Sequence, residues 1–247
     1  MSDASLDSKP TTALAGLSRA ELEVVAAAGQ EVLECHRVLA KTGANIVSEL
    51  LPRDSTFYQF DHCPPGDVYD RDSYAQYYYH AHRDGEHGHF HTFLREKGMP
   101  AGIAPVAQSR SKAMAARKDH LSHLIAISMD RRGVPIALFT TNRWVTGETW
   151  YAAADVIAML PHFEIGHAQP SWPTNRWIGA MLRLFRPQVA ALLHARDVAV
   201  AAWQNQHPGT DVFEDRDLEI ASQQAIDVDR QIAAVADALA GHDPETG

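Results

Sequence analysis

Asp84-Gly85 stands at the centre of a segment, Tyr74–Arg95, whose residues alternate in character on both sides of it. An Asp-Gly pair fits a two-residue type I′ turn, which requires positive φ at both positions and joins two antiparallel strands. The spacing therefore predicts strands over Tyr74–His82 and His87–Arg95. The register follows by counting outward from the turn. Arg83 opposes Glu86, His82 opposes His87, His80 opposes His89, Tyr79 opposes Phe90 and Tyr78 opposes His91. Successive side chains on a strand point to opposite faces. His80, His82, His87, His89 and His91 then share one face with Gln76, Tyr78 and Phe93. Tyr77, Tyr79, Ala81, Phe90 and Leu94 form an apolar second face suited to packing against helices. Glu86 is expected opposite the histidines, as a cross-strand partner of Arg83.

Directly opposed side chains have Cβ atoms ~5 Å apart. Two opposed imidazoles can therefore share one ion at metal–nitrogen distances of ~2.0–2.1 Å. The candidate ligands are His80, His82, His87, His89 and His91, and the implied cofactor is a divalent transition metal. Neutral imidazole suits zinc, iron, copper and nickel alike, so the ligand type does not choose among them. A water-facing strand face would show the same alternation. Such a face ordinarily carries Thr, Lys, Glu or Ser, and five histidines in their place point to a site. His80-Ala-His82-Arg-Asp-Gly-Glu86 also fits the first metal motif of the cupins. No second motif with its Pro, Gly, His and Asn follows, and long predicted helices on both sides argue against that fold.

A second informative segment is Thr140–Trp150, TTNRWVTGETW, which leaves a strand and enters a helix. Loops at strand ends that carry Arg and Asn bind anionic or planar ligands. Arg143, to hold an anionic substrate group, and Glu148 are the catalytic candidates, with Asn142 beside them. A helix cap at Thr146 with Trp144 and Trp150 as core anchors accounts for the same residues without chemistry. Asp61, His62, Asp67 and Asp70 could orient a ligand if their segment neighbours the hairpin. His120 and His123 read as core or surface residues, and Arg176, Arg183, Arg186 and Arg196 as a solvated helix face.

Around these segments the period changes from helical to alternating and back. Ser18 and Glu21 form a capping box ahead of Val24, Val25, Ala28, Val32, Cys35, Val38 and Leu39 at helical spacing. Strands are expected at Thr56–His62, His120–Met129 and Val134–Thr141, with Cys63–Asp70 as a turn region. Helices are expected at Trp150–Leu160, Asn175–Phe185, Gln188–Gln204 and Val212–Ala240. The fold class is α+β, an antiparallel β-meander of about five strands covered by N-terminal and C-terminal helices. Residues 1–16 read as a disordered tail and 17–242 as a single domain.

A formal net charge of -9 excludes a general nucleic-acid or anionic-membrane binder, which carries a basic excess. Two cysteines, no apolar run of ~20 residues and no basic-then-apolar leader fit a cytoplasmic protein. A small-molecule ligand and a homo-oligomer are both compatible with the sequence.

The segments FDHCPPGDVYD, AQYYYHAH, GEHGHFHTFLR, LSHLIAISMD, LFTTNRWVTGETWYAAADVIAML, PSWPTNRW and AMLRLFRPQ together resemble an uncharacterised bacterial family of unknown function. The resemblance spans most of the chain, from about the first helix to the last. It implies a bacterial, cytoplasmic origin and no known activity, cofactor or catalytic residue. Two classes of function stay open at this point. One is a metal-dependent enzyme acting on a small molecule through the hairpin, and the other a non-catalytic metal-binding, sensing or assembly protein.

Overall fold

The structure is a computed structural model that describes residues 13–51, 61–106 and 119–242. Its strands are β1 (Cys63–Tyr69), β2 (Ala75–His80), β3 (Gly88–Arg95), β4 (Leu121–Met129), β5 (Pro135–Thr141) and β6 (Ile220–Ala225). Helices α1 (Arg19–Ala40), α2 (Arg143–Thr146), α3 (Ala153–Met159), α4 (Trp172–Leu184), α5 (Arg186–Gln206) and α6 (Val228–Ala240) surround them. The strands form one antiparallel sheet in the order β1-β2-β3-β4-β5-β6, a meander with five consecutive pairings. The fold is α+β, with N-terminal and C-terminal helices packed on the sheet. Among the described residues no helix is long and apolar enough to cross a membrane.

The capping box at Ser18 and Glu21 starts α1 as the sequence requires. Leu22, Val25, Ala28, Val32, Cys35 and Leu39 make its buried stripe, while Val24 and Val38 lie outside it and are exposed. Glu31 of α1 pairs with Arg176 and Arg183 of α4, so these two arginines tie helices together. On the sheet, Phe90 meets Trp177 of α4 at a ring separation of 5.5 Å, and the Tyr77 hydroxyl donates to Asn175 at 2.6 Å. The apolar face of the hairpin thus packs on the helices as its alternation predicts.

Three expectations are corrected. Among the described residues the sheet has six strands, in keeping with the expected meander of about five. Residues 56–60 of the expected strand Thr56–His62 lie outside the described residues, and Asp61 and His62 precede β1. The expected turn Cys63–Asp70 is instead strand β1, the edge of the sheet among the described residues, where prolines are tolerated because one row of N–H groups needs no partner. Ile220–Ala225 is not helix but β6, paired to β5 from Ala137↔Ala225 to Thr141↔Ile220. Its residues form helices readily elsewhere; here an open strand edge beside β5 decides the matter, since context dominates strand preference. Of the expected tail, residues 1–12 lie outside the described residues, and Leu14 is already packed in the core. Cys35 and Cys63 are buried and free.

The third correction concerns the histidine face. Every residue of β2 and nearly every residue of β3 and β4 is buried, so both sheet faces are covered at the centre. His80, His89 and His91 are buried in it, while His82 and His87 are half-buried.

Candidate metal centre

The register about the turn is as counted over the strands. His80 pairs with His89, Tyr79 with Phe90 and Tyr78 with His91. The turn itself differs. Gly85 has φ 87°, but Asp84 is not in the positive-φ region, so the pair is not a type I′ turn. A longer loop therefore joins the strands, which end at His80 and resume at Gly88. Strand alternation stops with them, and the loop places its residues by its own course. His87 leaves the expected face and meets the hydroxyl of Tyr79 through Nδ1 at 2.7 Å. Gly88 permits that contact, because a Cβ there would lie 2.5 Å from the same hydroxyl. Glu86, expected opposite the histidines, hydrogen-bonds His89 Nδ1 and keeps only a 3.8 Å ion pair with Arg83.

His80, His82 and His89 each offer a ring nitrogen, and the three lie within 4.8 Å of one another. They could hold a metal ion. His80 Nε2 and His89 Nε2 are 2.7 Å apart, joined by a hydrogen bond. Two nitrogens on a tetrahedral ion at ~2.1 Å stand ~3.4 Å apart. Small ring movements, opening that pair and drawing His82 inward, would convert the cluster to a ligand set.

Charge and proton placement favour ligation. Burial, then the neighbouring rings His89, His82 and His62, lowers the His80 pKa to about 2. Burial and the same crowding lower His82 and take His91 well below the usual histidine value. These rings are neutral, the form that binds metal. Burial alone would raise the Glu86 carboxyl, but hydrogen bonds from His89 and Ser128 and the charge of Arg83 bring it below its ordinary value. Glu86 is thus an acceptor, and His89 donates from Nδ1. His89 Nε2 is then the nitrogen turned toward His80. Carboxylate–histidine pairs of this kind fix the tautomer of metal ligands.

Behind the triad lies His91, fully buried, with ring centroids 4.8 Å from His89 and 5.1 Å from His80. Its Nδ1 is 3.0 Å from His123 Nε2, and its Nε2 has no hydrogen-bond partner. His123, read from sequence as a core or surface residue, joins the cluster because a bulge between Thr92 and Phe93 shifts the β3–β4 register by one and sets His123 opposite Phe93. His62 stacks on Tyr78 at 3.6 Å, stands edge-on to His80 at 5.8 Å and bonds Asp67 through Nδ1 at 2.7 Å.

Glu148 is fully buried beside this cluster and accepts the backbone N–H of His123 at 2.8 Å. Burial raises its pKa to about 7. Arg143 is placed differently from the expectation. It is 1% exposed, stacks on Phe213 and pairs with Asp211 at 3.3 Å and Glu214 at 2.7 Å. Its charge is matched by the chain itself. Asn142 caps α2, and its side chain donates to the Val212 carbonyl at 2.7 Å. Trp150 is a core anchor, stacked under Arg196 at 4.2 Å. Arg196 is buried at 2% exposure, bonded to the Tyr151 carbonyl and to Asp197, and is not on a solvated face.

Of the triad, His80 and His89 are buried and His82 is half-buried. His82 and Arg83 line a cleft of about 870 Å³ whose other walls come from α5 and from the segment entering β6. The signal for Glu86 was present in the sequence, since His80-x-His82…Glu86 holds the right residues. For His123 no local signal exists, because it comes from a different hairpin. No curated protein and no solved structure matches the chain. A family model matches residues 26–226, a span that includes all six strands and the whole histidine cluster, and the chain belongs to the family described as Domain of unknown function (DUF6969).

Proposed function

We propose that the chain is a transition-metal-dependent enzyme that acts on a small molecule, with His80, His82 and His89 as the metal ligands. One observation carries the reading: the three converging ring nitrogens belong to two buried residues and to one, His82, that also lines a cleft. Three protein ligands with a further position facing a cleft is the arrangement of a catalytic rather than a structural site. The bound ion would supply a Lewis acid and an activated water or oxygen ligand there. His91 Nε2 is the nearest additional donor, on the inner side. Glu86 orients His89, and His123 holds His91.

Protein purified without a His-tag and reconstituted at neutral pH should retain one divalent zinc, iron, copper or nickel ion per chain by elemental analysis. The His80→Ala/His89→Ala variant, checked for folding by circular dichroism, should retain none. A metal-free wild type, or full metal in the double variant, overturns the assignment. Cobalt(II)-loaded protein should change its visible spectrum on addition of azide, which takes an open position. An unchanged spectrum would indicate a closed site and favour the non-catalytic class.

A further inference from the structure

The arginine of the candidate centre is Arg83 rather than Arg143. Its guanidinium lies 4.5 Å from the Phe139 ring centroid, and Phe139 stands edge-on to His89 at 5.2 Å. Arg83 Nη1 is buried and has no hydrogen-bond partner. Its nearest carboxylate, Glu86, is 3.8 Å away, beyond hydrogen-bond length, and Glu86 is already engaged by His89. A buried guanidinium N–H without a partner is costly unless something binds it. Arg83 and His82 are adjacent in the chain and line the same cleft. An incoming ligand would therefore meet a cation and the edge of the histidine triad together.

The rest of the cleft narrows the ligand. Its walls carry the apolar Ala199, Ala202, Trp203, Leu218 and Ala221 together with Gln206, so apolar and polar surface share the lining. Trp203 is held by Asp215 at 2.9 Å, so its ring is fixed in place. At the rim stand Asp84, Asp217 and Glu219, three carboxylates against one arginine. Like charge at the mouth opposes a dianion, whereas a single carboxylate can pair with Arg83 further in. About 870 Å³ is within the ~300–1,000 Å³ usual for small-molecule sites.

We propose that this cleft takes a small monocarboxylic acid with an apolar body, its carboxylate received beside His82 by the guanidinium of Arg83, whose Nη1 makes no hydrogen bond within the protein. For its chemistry this rests on the metal reading; the charge pairing itself needs no ion. A planar guanidinium matches a carboxylate with two parallel hydrogen bonds, and lysine does not reproduce that geometry.

Benzoate is the probe, with benzamide as its uncharged counterpart and inorganic phosphate as a more highly charged anion. Each is titrated by calorimetry into metal-loaded and metal-free protein. Benzoate should bind both forms, about tenfold or more tighter than benzamide or phosphate. Arg83→Gln should weaken benzoate by about tenfold or more, leave benzamide unchanged and leave metal content intact. Arg83→Lys should recover part of the loss, which a merely misfolded variant would not. If the protein holds no metal but benzoate still depends on Arg83, the metal reading fails and this assignment stands. If metal is held and benzoate binds Arg83→Gln as well as the wild type, or fails to bind the wild type at all, this assignment is overturned. Phosphate bound more tightly than benzoate overturns it too.

Discussion

At the scale of single residues, Glu86 decides which nitrogen of His89 faces the other rings. Its carboxylate accepts a hydrogen bond from Nδ1–H, so Nε2 is the nitrogen turned toward His80. Glu86→Gln keeps the shape of the side chain but can present an amide instead of an acceptor, and it removes the negative charge. Partners of this kind typically contribute 10–100-fold to metal affinity, so the variant should bind zinc about 10–100-fold more weakly in competition with a chelator. An unchanged affinity would mean that the contact does not orient the ligand. His91→Ala tests the inner donor. It should lower metal affinity without changing stoichiometry, because the triad remains, and loss of all metal would show that His91 is an obligatory ligand. The pairing of His80 with His89 was legible because both sit inside strands, where alternation and register are fixed by backbone geometry. Glu86 and His87 were misplaced because they lie in the loop, where that geometry no longer applies. His123 was invisible because a one-residue bulge aims it, and a bulge leaves no mark in local periodicity.

At the scale of elements, the β2–β3 hairpin depends on Gly88. A Cβ there would lie 2.6 Å from the His80 carbonyl oxygen as well as 2.5 Å from the Tyr79 hydroxyl. Gly88→Ala must push the strands apart or move the tyrosine ring. It should destabilise the protein by about 1–3 kcal/mol, the usual cost of overpacking, measured as a shift in urea midpoint. A neutral result would mean that the loop relaxes freely. Helices with caps and apolar stripes, such as α1, were readable from residue pattern alone. β1 and β6 were not. One holds two prolines and the other a helix-compatible run, and each becomes a strand only because a neighbouring strand offers an unpaired edge. That information is tertiary.

For the molecule as a whole, a sheet core filled with neutral imidazoles makes folding sensitive to acid. In the unfolded chain each histidine protonates near ~6.5, whereas in the fold His80 does so only near about 2 and His123 near about 3, with His91 also well below its ordinary value. Below pH ~6.5 the unfolded chain binds more protons, and each such ring removes about 1.4 kcal/mol of stability per pH unit. Glu148 acts in the opposite sense. Raised to about 7, it favours the fold as pH falls from there toward the ordinary carboxyl range. Three rings outweigh one carboxyl, so metal-free protein should lose on the order of 3 kcal/mol of unfolding free energy between pH 7 and pH 5. A flat profile by urea denaturation would mean that the rings take up protons without unfolding. The edge strand β1 has a different consequence, for the protein in a crowded solution. Pro64 and Pro65 supply no amide hydrogen, and the ladder to β2 is irregular between Cys63 and Val68. A second sheet cannot zip onto an edge that lacks donors at consecutive positions. Among the described residues β1 is the border of the sheet, and the prolines that disguise it as a turn in the sequence thereby guard that border against fibrous self-association.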